Sequence, residues 1–125
     1  MKEQSRLPIT YEVSPHQSHQ EVISKLFDEH PEVDGIFASD DLIAASVIAE
    51  SKKRGKEIPT QLKVVGYDGT EAVQVLLPEL TTIQQPIDLI AKSAIDILLK
   101  QIEGEFNNFP FETYLPVKLL EGGTT

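Results

Sequence analysis

A chain of 125 residues has room for one domain of ordinary size. Its 20 acidic side chains outnumber 11 basic ones, a formal charge of −9, so it lacks the basic face with which free-standing nucleic-acid binders neutralise phosphate. Hydrophobic residues at 40% and charged residues at 25% fit a globular domain, and the absence of cysteine excludes disulfide scaffolds, thiolate metal sites and cysteine nucleophiles. No apolar run reaches the roughly 18 residues of a membrane-spanning helix. Residues 1–10 hold Lys2 and Arg6 but no apolar segment, so no secretory signal is read there. A reducing, cytoplasmic setting is expected.

Residues 9–13 alternate and are β-branched, which predicts a short, half-buried strand ended by Ser14 and Pro15. Val22, Ile23, Leu26 and Phe27 then mark one face of a helix over 18–30, stopped by Pro31. The run 35–39 is short, apolar and scarcely alternating, as in a strand covered on both faces of a parallel sheet. A helix is predicted over 40–54, with Leu42, Ile43, Val47 and Ile48 for packing, Ser39 or Asp40 as its cap and Gly55 as its stop. Lys52, Lys53 and Arg54 suit its negative end.

Residues 62–67 form the next predicted strand, ended by the turn pair Asp68-Gly69. A short helix or tight loop over 70–77 and a β-branched strand over 80–84 follow. Ile87, Ile90, Ala91, Ala94, Ile95, Leu98, Leu99 and Ile102 trace an amphipathic helix ending at Gly104. A last strand is predicted over 114–119, and residues 122–125 read as a loose end. This order points to an α/β fold, a parallel sheet flanked by helices, with right-handed crossovers.

In such sheets ligands sit beyond the carboxyl ends of the strands. Those ends carry Asp40 with Asp41, Asp68, and Gln84 with Gln85. Carboxylates accept several hydrogen bonds each, and two of them with an amide suit a hydroxyl-rich ligand such as a sugar. Taken singly, Asp40 can be no more than a helix cap and Asp68 no more than a turn residue. Two enzymatic readings fit poorly. Asp68-Gly69-Thr70 resembles part of a haloacid-dehalogenase-type phosphatase motif, but Gly66 stands where the nucleophilic Asp is needed. A receiver-like phosphoacceptor needs a Lys after a later strand, where Gln84-Gln85-Pro86 stands. His16 and His19 read as a solvated pair and His30 as a helix-end residue, so no metal or other cofactor is expected. No phosphate-cradling glycine loop and no nucleophile elbow are present.

The segments Phe37-Ala38-Ser39-Asp40-Asp41-Leu42-Ile43-Ala44, Ile58-Pro59, Lys63-Val64-Val65-Gly66-Tyr67-Asp68 and Pro78-Glu79-Leu80-Thr81-Thr82-Ile83-Gln84-Gln85-Pro86 resemble the ligand-binding part of the lac-repressor (galactose-repressor) family of bacterial transcription regulators. The closing Leu115-Pro116-Val117 and Thr124-Thr125 extend the match. The resemblance implies a periplasmic-binding-protein-like fold of two lobes around a small effector, usually a sugar. It implies no enzyme activity, a homodimer, and control of genes through an amino-terminal helix-turn-helix head.

By position, Asp68 resembles the family's ligand carboxylate, Asp40 falls on a ligand-contacting Asn or Asp, and Gln85 lies at the crossover beside the pocket. Val13 occupies a place where the family often has a stacking aromatic ring. Ala45, Ile48, Val73 and Leu76 fall on its dimer surface. The family's organisation assigns residues 1–86 to an incomplete carboxyl-terminal lobe, 87–112 to a helix of the other lobe, and 113–125 to a returning strand and tail. The head, most of the other lobe and one strand–helix unit are missing by this reading, which predicts a truncated, self-associating chain that meets operator DNA only through the missing head. The alternative is a periplasmic-type sugar-binding protein of a transport system.

Overall fold

The computed structural model describes residues 8–104 and 112–125. The expectations for residues 1–7, and for residues 105–111 of the 87–112 segment, lie outside the described residues. The elements run α1 (His19–Glu29), β1 (Gly35–Phe37), α2 (Asp41–Lys53), β2 (Lys63–Asp68), α3 (Glu71–Leu76), β3 (Thr81–Gln84), α4 (Ile87–Ile102) and β4 (Lys118–Leu120). They form one four-stranded sheet in the order β1-β2-β3-β4. The first three strands are parallel, and β4 returns antiparallel along β3, with Ile83 opposite Leu119. None of the described helices is long and apolar enough to cross a membrane.

Local chemistry accounts for the helices. Ser18 and Glu21 close a reciprocal capping box at the start of α1. Asp40 caps α2, its Oδ1 accepting from the Ile43 amide at 2.7 Å. Gly55 stops α2 with a φ of 71°. Both β–α–β crossovers step the same way across the sheet, so right-handed connections put α2 and α3 on one face. The core lies on that face: Ile23 and Phe27 of α1, Ala44, Val47 and Ile48 of α2, with Leu62, Val64 and Leu80 from the strands.

Arg54 ties α1 to α2. Its Nε donates to Glu50 Oε1 at 2.8 Å and its Nη1 to Asp28 Oδ1 at 2.7 Å, while the guanidinium lies 5.5 Å from the Phe27 ring centre.

Four expectations need correction. Residues 9–13 are irregular and not a strand. An extended segment without a neighbour cannot satisfy its backbone in a ladder. Tyr11 instead donates its hydroxyl to Glu29 and meets the His30 ring edge-on at 6.0 Å. The strand predicted over 35–39 is covered on one face only. Phe37 is 64% exposed and touches Tyr67 edge-on at 6.4 Å. The sheet is mixed, because β4 runs against the other three.

The carboxyl-terminal residues are the fourth case: they are no loose end. Thr124 is buried; its Oγ1 accepts from the Thr81 amide at 2.9 Å and donates to the Val64 carbonyl at 2.7 Å. Its own carbonyl accepts from the Val64 amide at 2.9 Å. The tail thereby satisfies backbone groups near the beginnings of β2 and β3 that would otherwise be buried unpaired.

The hydrogen bond from Arg54 holds the Glu50 carboxyl below its ordinary value of 4.5. A depressed folded-state value means that this group adds stability above the unfolded pKa and loses it as pH falls through the folded one. Thermal melts of the wild type and Glu50→Gln should therefore differ near neutrality and converge on acidification. A gap that stays constant into acid would contradict the pairing.

Candidate functional site

Parallel pairing brings the strand ends to one edge. Phe37 is level with Val65, and Asp68 with Gln84, so Asp40, Asp68 and Gln85 all follow strand ends on the same side of the sheet. Asp68 and Gln85 meet directly: Gln85 Nε2 donates to Asp68 Oδ1 at 2.6 Å, and the Gln85 amide donates to the Asp68 carbonyl at 3.0 Å. Asp40 spends Oδ1 on its cap. Among the described residues, the Oδ2 atoms of Asp40 and Asp68 accept nothing, and both residues are half-buried. Two carboxylate oxygens and an amide therefore share this edge, a set suited to hydroxyl donors. Val13 is half-buried in the irregular segment before α1 and is not carried to the edge by a strand.

The loop after β2 is held in an uncommon shape. Asp68 has a φ of 116°, the one positive value on a non-glycine residue among the described residues. Gly69 follows at +60°, and a Cβ there would lie 2.7 Å from the Gln84 Cα. The Gly69 carbonyl accepts from Gln74 Nε2 at 2.7 Å and from Gln84 Nε2 at 3.3 Å.

Beneath this loop lies a carboxylate that was paired with Asp40 in the sequence but not singled out. Asp41, the first residue of α2, is 2% exposed. Its Oδ2 accepts from the Gly69 amide at 2.8 Å, and its Oδ1 accepts from Thr82 Oγ1 at 2.5 Å. Gly66 makes the space, since a Cβ on it would stand 2.3 Å from Asp41 Oδ1. Helical spacing could have revealed this burial: Asp41, Ala44, Ile48 and Ser51 share one buried face. A glycine inside a strand is a second signal of close approach.

A cavity of about 230 Å³ lies under α3, lined by Val73, Gln74, Leu77, Leu80, Thr82 and Leu120 among others. It shares Gln74 and Thr82 with the loop's hydrogen bonds but does not include Asp40, Asp68 or Gln85.

The residues read as a dimer surface fall into different environments. Ile48 is a correction: at 5% exposure it belongs to the core, because it faces the strands across the same stripe as Ala44. Val73 packs partly on that core, and Ala45 is half-buried. Leu76 is 82% exposed, with Val75 at 74% and Leu42 at 70% beside it in this class.

The family model for the periplasmic binding protein-like domain matches residues 2–125. The chain is 40% identical over 109 residues to a ribose operon repressor of Halalkalibacterium halodurans, covering 85% of this chain and 32% of the relative. It is 41% identical over 111 residues to a sucrose operon repressor of Streptococcus mutans, covering 89% and 33%. The chain thus spans about a third of the length of these relatives. Among solved structures, a complex of the transcriptional regulator CelR with cellobiose superposes with a TM-score of 0.77 at 27% identity, over 86% of this chain and 33% of that one. The Lac repressor bound to ONPG in its repressed state superposes at 0.75 and 27% identity, over 86% and 32%.

The Gly66 contact yields a prediction. Gly66→Ala forces a methyl group against the Asp41 carboxylate, and urea unfolding should show a loss of about 1–3 kcal/mol. An unchanged midpoint would mean that Asp41 does not fill this space.

Proposed function

The chain belongs to the family of periplasmic binding protein-like domains, in the form found in lac-repressor-type regulators, and from that premise we propose that it is the effector-binding segment of a sugar-responsive transcriptional repressor. The observation that carries this reading is the Asp68–Gln85 pair, on the same edge of the sheet as Asp40. A carboxylate held by an amide on one oxygen still offers the other to a sugar hydroxyl. The mechanism is binding without chemistry, in the cytoplasm where operator DNA lies. A sugar seated between this lobe and a second one favours one lobe arrangement, and the DNA affinity of an attached head follows by linkage. The names of the relatives, operon repressors, favour this reading over a transport protein.

The second lobe has a place to dock. Helix α4 carries no buried residue, and Ile87, Leu89, Ile95, Leu98, Leu99 and Ile102 are each at least half exposed. In our reading residues 1–86 and 113–125 form one lobe and the helix within 87–112 packs in the other. Covering each such side chain would contribute about 1.5–3 kcal/mol.

The test grafts this chain in place of the matching third of the Halalkalibacterium halodurans ribose operon repressor. Release from operator DNA is then titrated with ribose, sucrose and cellobiose. At least one sugar should release the graft, and Asp68→Asn should raise the sugar needed by roughly ten- to a hundredfold, as for loss of a charge-assisted hydrogen bond. Release by none, or an unshifted Asp68→Asn titration, would refute the assignment.

We also propose a homodimer through the exposed apolar residues of α2 and α3, with Leu76 at its centre and Ala45 and Val73 at its margin. The exposure of Leu42, Val75 and Leu76 supports this reading. Sedimentation equilibrium of the graft should give a dimer that Leu76→Glu dissociates at least tenfold more readily. A Leu76→Glu protein that dimerises like its parent would place the contact elsewhere.

A further inference from the structure

We propose that Asp41 is the positioning residue of the candidate site: its buried carboxylate holds the Asp68-Gly69 loop in the left-handed shape that presents Asp68 at the sheet edge. The proposal rests on the reading of Asp68 as the ligand carboxylate, and deepens it by naming what sets that side chain's direction.

The argument starts from backbone strain. An ordinary side chain at a φ of 116° is unfavourable, and such a residue persists only where its surroundings over-determine it. Asp68 is fixed from its own side by Gln85, which binds both its carboxylate and its carbonyl. The carbonyl that Gln85 binds is the oxygen of the 68–69 peptide, so Gln85 holds one end of the planar unit that follows Asp68. That unit presents its N–H at Gly69. Asp41 Oδ2 receives it at 2.8 Å, within a site closed to water by Asp41's own burial. The carbonyl of Gly69 is taken by Gln74 and Gln84 on the other side. Rotation of the 68–69 peptide would break the Gln85 bond at its oxygen and leave the buried carboxylate without its amide donor; with this peptide held on one side of Asp68 and β2 paired to β3 on the other, the residue between them keeps its positive φ.

Asp41 cannot itself touch a ligand at the edge, because it is 2% exposed and both oxygens have partners. It lies in the first turn of α2, where an acidic side chain suits the positive end of the helix dipole. Its neighbour Asp40 caps the same helix and faces the same edge. One helix end therefore places two acids: Asp40 directly, and Asp68 through the Gly69 amide. Thr82 reaches the carboxylate from β3, so the anchor joins α2, β2 and β3 at one point.

Amide exchange and the Asp68 HN–Hα coupling, read by NMR on the isotope-labelled 125-residue chain, test this without any ligand. A φ near 116° gives a small coupling; extended backbone gives a large one. In Asp41→Asn, which keeps the shape and an acceptor, the coupling should stay small while Gly69 amide exchange quickens about tenfold, as the charge-assisted bond becomes a neutral one. In Asp41→Ala the Asp68 coupling should rise towards the extended value. Unchanged Gly69 exchange in Asp41→Asn would overturn the proposal, as would a folded Asp41→Ala with its Asp68 coupling unchanged. If Asp41→Ala fails to fold, the Asp41→Asn exchange decides. In the repressor graft, Asp41→Asn should need severalfold more of whichever of the three sugars releases the parent, and an unshifted titration would also overturn it. Failure of Asp68→Asn to affect release would sink the ligand assignment alone, leaving the ligand-free readings to stand or fall separately.

Discussion

A single buried carboxylate joins three elements beneath the carboxyl edge of the sheet. Burying an ionised acid is costly unless its oxygens are hydrogen-bonded. Asp41 meets that condition with a backbone amide from the loop after β2 and a hydroxyl from β3. Each charge-assisted bond is worth about 1.5–3 kcal/mol, so the anchor can offset the strain of about 1–3 kcal/mol expected where Asp68 takes a positive φ. The small residues around it follow from the same demand. Gly66 is where the carboxylate needs room, and Gly69 is where the chain runs against Gln84. Among the described residues, no buried side-chain nitrogen or oxygen is left without a partner.

The parts of the fold that depend on local pattern were legible. Helices α1, α2 and α4 follow from apolar spacing and end signals, and their observed ranges sit within a residue or two of the expected ones. The order of β1, β2 and β3 follows from apolar runs between helices. Legibility failed where a segment's state depends on distant partners. Residues 9–13 have the composition of a strand, yet a strand needs a ladder, and none of the described strands pairs with them. The terminal residues look like a tail, yet Thr124 supplies hydrogen bonds that Val64 and Thr81 need, some 43 to 60 residues away in sequence.

The candidate site divides along the same line. Asp68 and Gln85 could be placed at the edge from turn chemistry and a parallel sheet, and the structure brings them into contact. The distinction between Asp40 and Asp41 was harder. Asp40 is the extended cap that turns back onto the Ile43 amide, whereas Asp41 is the first helical residue and faces the core. Composition treats the two as equivalent. Only the register of Asp41 with Ala44 and Ile48 separates them, and that same register removes Ile48 from the exposed surface.

The anchor also relates the edge to the outer helices. Asp41 begins α2, and the Gly69 amide it holds lies two residues before the start of α3. The loop between is short, capped by Thr70 and tied by Gln74 back to the Gly69 carbonyl, so α3 can shift little without moving Gly69. The exposed residues Leu42, Val75 and Leu76 ride on these two helices. The Asp41–Gly69 bond therefore joins the strand edge that carries Asp68 to the two helices that carry these exposed side chains.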